Sequence, residues 1–325
     1  MHPEVVAKYE DALAGVRSMD RWKQPVFRHS DVEYFETAPS LASGIHTIYE
    51  GGLPIDLYVD LKPGQPLVIF LNGAAPRSEA MKLPVFAGFG VVPPGEVSRL
   101  CINDPSLYLD VSLPLAWYAG SAKQPALQAL LSRVIGTVVA LADTRQVVFV
   151  GGSGGGFASL YYSRLVPESL AVVWNPQTDI LAYAPQHVAE YSRAAFGLAD
   201  MEVARRELPA RIATDLCALY RGSTPSNHIL YLQNGTDWHV KSHCQPFLAA
   251  LGHQVSAPLS SGKLGESLYL HVGAWGEGHV PAPQPLLKSL LADLLEHRGG
   301  WKELFAGERL EIMLDVAEAA TTAAA

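Results

Sequence analysis

The chain is poor in cysteine and has no clustered positive charge, and each shortage removes a class of function. Its three cysteines, Cys101, Cys217 and Cys244, lie far apart and form no C-x-x-C pair. That leaves no zinc ribbon and no redox motif, and an odd number without local pairing reads as free thiols in a reducing compartment. The net charge is −8, and no run of lysine or arginine offsets it. A nucleic acid or an anionic membrane surface therefore finds no electrostatic footprint. No apolar run approaches the roughly 20 residues of a spanning helix. The first residues, MHPEVVAKYEDALAGV, interrupt their apolar positions with Glu4, Lys8, Glu10 and Asp11, so they lack a secretory apolar core. A cytoplasmic protein is expected. No internal repeat is visible, and the alanine-rich end, AEAATTAAA, reads as a low-complexity tail that frays.

Apolar residues, in contrast, are plentiful. At 325 residues and 49% hydrophobic, the chain can bury a large core. Residues 3–18 show helical spacing through Val5, Val6, Tyr9, Leu13 and Val16. From Gly44 to Leu61 the period shortens to alternation around Gly51-Gly52, which predicts a β-hairpin. Leu67–Leu71 is a continuous apolar run suited to a strand buried on both faces, and it ends in Asn72-Gly73-Ala74-Ala75. Residues 76–97 are a loop or short-helix region rich in Pro and Gly that includes Pro93-Pro94-Gly95, and Leu100–Asn103 is a short strand. Residues 106–123 are irregular and aromatic, with Tyr108, Trp117 and Tyr118. Gln124–Asp143 has helical spacing. Later strands are expected at Leu170–Trp174, His228–Leu232 and Ser267–Val272, with helices at 245–251, 285–297 and about 301–317.

One stretch organises the rest: VVFVGGSGGGFASLYYS, Val147 to Ser163. Four apolar residues run into glycines, a serine, more glycines and then a helical pattern. G-x-S-x-G is satisfied by Gly151, Ser153 and Gly155, with the strand and helix that a nucleophile elbow requires. Glycine-rich turns also cradle phosphates, but neither phosphate pattern fits. From Gly152 the last position of G-x-G-x-x-G is Phe157, and no Lys-Ser or Lys-Thr follows Gly156.

Alternating strands and helices imply a doubly wound, mostly parallel sheet whose ligands sit beyond the carboxyl ends of the strands. Ser153, Asp237 and His279 each follow a strand. A serine hydroxyl needs an imidazole to take its proton, and the imidazole needs a carboxylate to fix its tautomer. On these residues, in the order Ser, Asp, His, the chain resembles the α/β-hydrolase superfamily over roughly Ile45 to His297.

That resemblance implies an α/β-hydrolase fold with a helical cap insertion. It makes Ser153 the nucleophile, Asp237 of NGTD the acid and His279 of GEGH the base. Gly154 and Ala74 would supply the oxyanion-hole amides. Asn72 stands where the family often has histidine. The expected organisation is an N-terminal lead-in over residues 1–43, a core of 44–179 and 227–298, a cap over 180–226 and a C-terminal helix with a flexible tail over 299–325.

Several assignments stay open at this stage. Asp179 also follows a strand and competes with Asp237. His239, His243 and His271 compete with His279, and His239 and His243 have the i, i+4 spacing of metal ligands without an accompanying acid. His271 lies inside an apolar strand, and Cys244 has no elbow and reads as a buried thiol. Asn72, Trp117, Tyr118, Trp238 and His239 are expected to border the substrate. The activity implied is cleavage of an ester or related acyl bond through an acyl-serine, with no cofactor or metal and a small-molecule or acyl-group substrate. Alternatives are an acyltransferase or thioesterase with the same triad, or a non-catalytic binding protein on the same fold. The oligomeric state is not legible.

Overall fold

Strand β6, Val147–Gly152, shows how the molecule is layered. Val147 and Phe149 pack with the helix that precedes them in the chain, while Val148 and Val150 pack with the C-terminal helices. A strand covered on both faces has no polar side, which is why these runs read as unbroken apolar sequence. The structure, a computed structural model, describes residues 3–78, 80–92, 97–222, 225–254, 256 and 258–324. The Pro93-Pro94-Gly95 breaker lies outside the described residues.

The strands are β1 Val26–His29, β2 Gly44–Glu50, β3 Leu53–Asp60, β4 Leu67–Leu71, β5 Ser98–Ile102, β6, β7 Leu170–Trp174, β8 His228–Asn234, β9 Gly262–Leu264 and β10 Leu268–Gly273. They form one sheet in the order β1-β2-β3-β5-β4-β6-β7-β8-β10-β9. The β2–β3 hairpin, the β3–β5 pair and β9–β10 are antiparallel, and the other neighbours are parallel. The helices are α1 Pro3–Leu13, α2 Val32–Glu36, α3 Leu127–Ala142, α4 Gly154–Ser163, α5 Pro185–Phe196, α6 Met201–Glu207, α7 Leu216–Tyr220, α8 Gln245–Ala250, α9 Gln284–Glu296, α10 Trp301–Ala306 and α11 Arg309–Ala324.

Helix α3 and the buried helix α4 cover one face of the sheet, and α9, α10 and α11 cover the other. Helices α5, α6 and α7 come between β7 and β8, and their apolar side chains Val188, Tyr191, Ala204 and Leu216 join the core on the α4 side. Among the described residues no helix is long and apolar enough to cross a membrane.

Three features depart from expectation. The segment before the hairpin is not merely a lead-in, because β1 extends the sheet in parallel with β2. On the far edge β9 adds a short antiparallel strand. The alanine-rich end is helical within the described residues: α11 continues to Ala324, consistent with alanine's high helix propensity, and Ala317 is fully buried.

A buried ion pair ties the first segment to the sheet. Arg17 donates from Nε to Asp56 Oδ2 at 2.8 Å and from Nη2 to Oδ1 at 2.6 Å. Thr47 and Tyr108 donate to the same carboxylate at 2.6 and 2.5 Å. Every lone-pair direction of Asp56 is thereby used, which is what makes a buried charge tolerable.

Candidate active site

The chain reverses at Ser153 in a conformation that few side chains tolerate, φ 54° and ψ −120°. Strand β6 ends one residue earlier and α4 starts one residue later, so the serine sits alone at the apex. The surrounding glycines permit this by closeness. A Cβ on Gly155 would lie 2.2 Å from the Leu71 carbonyl oxygen, and one on Gly151 would lie 2.4 Å from the Gly155 carbonyl oxygen. The apex is pinned by three backbone bonds: Ser153 N–H to Trp174 O, and Phe157 and Gln177 N–H to Ser153 O.

Two further strand ends converge on this serine. Asp237 follows β8 and is 2% exposed. Its Oδ2 lies 2.6 Å from His279 Nδ1, and its Oδ1 accepts the His239 backbone N–H at 2.9 Å. A carboxylate only accepts, so His279 Nδ1 carries hydrogen and Nε2 presents a lone pair. That Nε2 is 3.1 Å from Ser153 Oγ.

The NGTD turn also holds the histidine loop. Asn234 Nδ2 donates to Gly276 O and Gly278 O at 2.9 and 2.8 Å, and Thr236 Oγ1 donates to Gly276 O at 2.6 Å. Asp179, the competing acid, instead accepts the Leu181 N–H at the start of a short helical turn.

The loop after β4 contributes free donors. Ala75 N–H is spent on Pro114 O, and Asn72 N–H is spent on the Tyr118 hydroxyl. Among the described residues, the amides of Gly73, Ala74 and Gly154 take no protein acceptor. Gly154 opens α4, where the first amides of a helix have no partner within it.

A cavity of about 430 Å³ opens at Ser153 and His279. Next to Ser153 it is polar, with Asn72, Asn175 and Tyr183. The rest of the lining is largely apolar, with Phe70, Val91, Val150, Trp174 and Leu287, and among the described residues no lysine, arginine or carboxylate lines it.

The residues expected to border the substrate divide. Asn72 lines the cavity and anchors residue 85 by donating from Nδ2 to Val85 O at 2.7 Å. Trp117 and Tyr118 do not line it and are both 1% exposed. Both adopt positive φ, 55° and 56°, in a turn that folds the rings into the core. Tyr118 bridges β4 and β5 by accepting from Asn72 N–H and donating to Ile102 O. Trp238 is 44% exposed and stacks on Tyr183, outside the cavity lining. His239 is fully buried and does not reach the cavity either: its Nδ1–H donates to Asn175 O at 3.0 Å while its ring packs on His279.

Sequence reasoning missed the polar residues that brace the site. Asn175, with φ 42°, accepts at Oδ1 from Asn234 N–H and Gln233 Nε2. It donates from Nδ2 to Val280 O, one residue beyond His279. Gln177 donates from Nε2 to Ser153 Oγ at 2.8 Å. The hydroxyl of Tyr183 interacts with both Ser153 and Gln177, and burial raises its pKa. All stand in or just after the NPQTD run. Its only signal was a cluster of polar residues at the end of a buried strand.

Asp237, His239 and His279 bring candidate metal-ligand atoms within 4.8 Å of one another. The hydrogen bonds use most of those atoms, since both nitrogens of His279 and Nδ1 of His239 have partners. In His243, Nδ1 accepts from Thr178 N–H at 3.2 Å, which leaves its hydrogen on a buried Nε2. The donor set thus fits a proton relay better than a cation site.

Burial, reinforced by neighbouring imidazoles, pushes His239 down to about 4 and His243 to about 3. An unfolded histidine titrates near ~6.5, so below that pH the unfolded chain takes up protons that the folded chain refuses. The stability from these two groups is complete above ~6.5 and is lost as pH falls toward their folded values. The urea midpoint is therefore expected to drop between pH 7.5 and 5.5, less so in His243→Gln. An unchanged midpoint would contradict this. The thiols are inert: Cys101, Cys217 and Cys244 are buried, and burial pushes Cys217 and Cys244 to about 12.

Comparison with known proteins bears on the fold. No family model matches the chain, and no curated protein matches it in sequence. Among solved structures, the capsule O-acetyltransferase of Neisseria meningitidis serogroup A superposes with a TM-score of 0.52 at 12% identity, covering 79% of this chain and 95% of that one. The Pyrococcus horikoshii acylaminoacyl peptidase gives 0.51 at 12% identity, covering 84% of this chain and 45% of that one. A glycosylation-associated protein complex from Streptococcus agalactiae gives 0.50 at 13% identity, and this chain spans only 41% of that chain's length. The chain has the α/β-hydrolase fold. At such identities the likeness carries the fold and nothing finer.

Proposed function

We propose that the protein is a serine hydrolase that cleaves an ester or related acyl bond through an acyl-serine intermediate. The observation that carries this reading is the hydrogen-bonded line Ser153 Oγ, His279 Nε2, His279 Nδ1, Asp237 Oδ2, with steps of 3.1 and 2.6 Å. Ser153 attacks the acyl carbon while His279 takes its proton and passes it to the leaving group. His279 then draws a proton from water, which releases the acyl group. Asp237 holds the tautomer and stabilises the imidazolium. The Gly154 amide, with Ala74 or its neighbour Gly73, holds the oxyanion; one such donor is worth about 3 to 4 kcal/mol in the barrier. The same steps deliver the acyl group to another acceptor when that acceptor enters in place of water.

The cavity supports a substrate class. Burying a carboxylate or ammonium against uncharged apolar walls is costly, whereas an alkyl or aryl group gains from leaving water. The acyl group is accordingly neutral and apolar, of short to medium length. A panel of p-nitrophenyl esters tests both points. Butyrate to octanoate should be turned over at least about tenfold better, by kcat/KM, than an ester carrying a terminal carboxylate, since a tenfold ratio needs only about 1.4 kcal/mol and burying an unpaired carboxylate costs more than that. No turnover of any ester, thioester or activated amide would overturn the reading, and a preference for the charged acyl group would overturn the substrate class.

A further inference from the structure

This inference rests on the reading of Ser153 as nucleophile. We propose that Gln177 is a further catalytic residue, acting through its side-chain amide on Ser153 Oγ, with Trp117 as the positioning residue behind it. Gln177 is fully buried, yet both ends of its amide are engaged. Trp117 Nε1 donates to Gln177 Oε1. An indole can only donate, so this bond fixes which end of the amide is oxygen. The other end, Nε2, is therefore a donor, and it lies 2.8 Å from Ser153 Oγ. The Gln177 backbone N–H donates to Ser153 O at 3.1 Å, so side chain and main chain grip the same residue.

A hydroxyl that accepts from an amide sends its own hydrogen elsewhere, and His279 Nε2 at 3.1 Å accepts it, with the Tyr183 hydroxyl as the remaining neighbour of Ser153. Gln177 thus sets the hydroxyl rotor toward the base before substrate arrives. As the Oγ–carbon bond forms, the hydroxyl proton passes to His279 Nε2, while Gln177 keeps its hydrogens and stabilises the charge growing on Oγ. When water has attacked and given its proton to His279, the carbon–Oγ bond breaks and its electron pair returns to Oγ. Oγ then takes the proton back from His279, and the same amide stabilises it as it leaves. This differs from the work of the backbone amides, which act on the carbonyl oxygen.

The test is the second-order rate of fluorophosphonate labelling at Ser153, located by peptide mass spectrometry. It is measured from pH 5.5 to 8.5 for wild type, Gln177→Glu, Gln177→Met and Trp117→Phe, with circular dichroism as the folding control. Gln177→Glu keeps the shape but presents a carboxylate that accepts the Ser153 hydrogen and turns it away from His279. Its labelling is expected to be slower by about 100-fold at pH 8.5, comparable to loss of an oxyanion-type donor. The ratio to wild type should recover as pH falls, because the protonated carboxyl can donate again. Gln177→Met should lose about tenfold at every pH, the worth of one hydrogen bond, and Trp117→Phe should fall between wild type and Gln177→Met. If Gln177→Glu does not fold, the loss in Gln177→Met decides. Wild-type labelling at Ser153 with unaffected variants, or a pH-independent Gln177→Glu ratio, overturns this inference and leaves the proposed function standing. Absence of labelling in the wild type overturns the proposed function itself.

Discussion

Replacing Ser153 with alanine is expected to lower turnover of the best ester by about 10⁶-fold while the protein stays folded, as loss of the nucleophile does in triad enzymes. Both halves of this expectation follow from the elbow. The strained backbone at Ser153, φ 54° and ψ −120°, is imposed by glycines that let β6, α4 and the loop after β4 approach within contact. Alanine has the same backbone preferences as serine there, so the turn gains no incentive to relax. What is lost is Oγ, the atom on which Gln177 and His279 converge. Residual activity above background would come from the unspent amides of Gly73, Ala74 and Gly154 and from the cavity walls. A variant retaining more than a few per cent of wild-type turnover would mean that another group performs the attack.

Asp237→Asn is expected to cost about 10⁴-fold in kcat with little change in KM, the loss that follows when the triad imidazole takes the wrong tautomer. The local bonds say how it would do so. Oδ1 accepts the His239 backbone N–H at 2.9 Å, so in the variant the amide oxygen keeps that place and the NH₂ group turns to His279. Its hydrogen then meets His279 Nδ1, which must become the lone-pair nitrogen. Nε2 takes the hydrogen and can no longer accept from Ser153. Asp179→Asn serves as the contrasting control. Its carboxylate caps a helical turn through Leu181 N–H, a place that the asparagine oxygen fills as well, so kcat should change by less than about tenfold and stability by only about a few tenths of a kcal/mol. Stopped-flow kinetics with denaturant titrations on both variants separates the two effects, and a larger kcat loss in Asp179→Asn would reverse the assignment.

The fold was legible wherever a strand is buried on both sides. Runs such as Leu67–Leu71 and Val147–Val150 have no alternative to a sheet interior. It was not legible at the sheet margins. Strand β1 is VFRH and β9 is GKL, each too short and too mixed to show a period, and they exist because a neighbour offers a free edge. At the candidate site the sequence pointed to Ser153, Asp237 and His279, because such chemistry requires given residue types at strand ends, and the three side chains meet in the structure.

It could not point to Asn175 or Gln177. A buried amide looks like any loop residue until the partners that satisfy it, 59 and 60 residues away in the chain, are brought alongside. Trp117 shows the opposite difficulty. An aromatic residue in an irregular connector reads as a pocket wall, yet its ring is in the core and its one polar atom holds Gln177.

The measurement that bears most directly on the account is mass mapping of the covalent intermediate formed from a true substrate. A p-nitrophenyl ester of the preferred chain length, mixed with enzyme and quenched in acid within the first turnovers, should leave one acyl group per chain. Peptide sequencing should place it on Ser153, and the adduct should be absent from Ser153→Ala. Finding the acyl group on another residue, or full turnover with no adduct at any quench time, would contradict the acyl-serine mechanism.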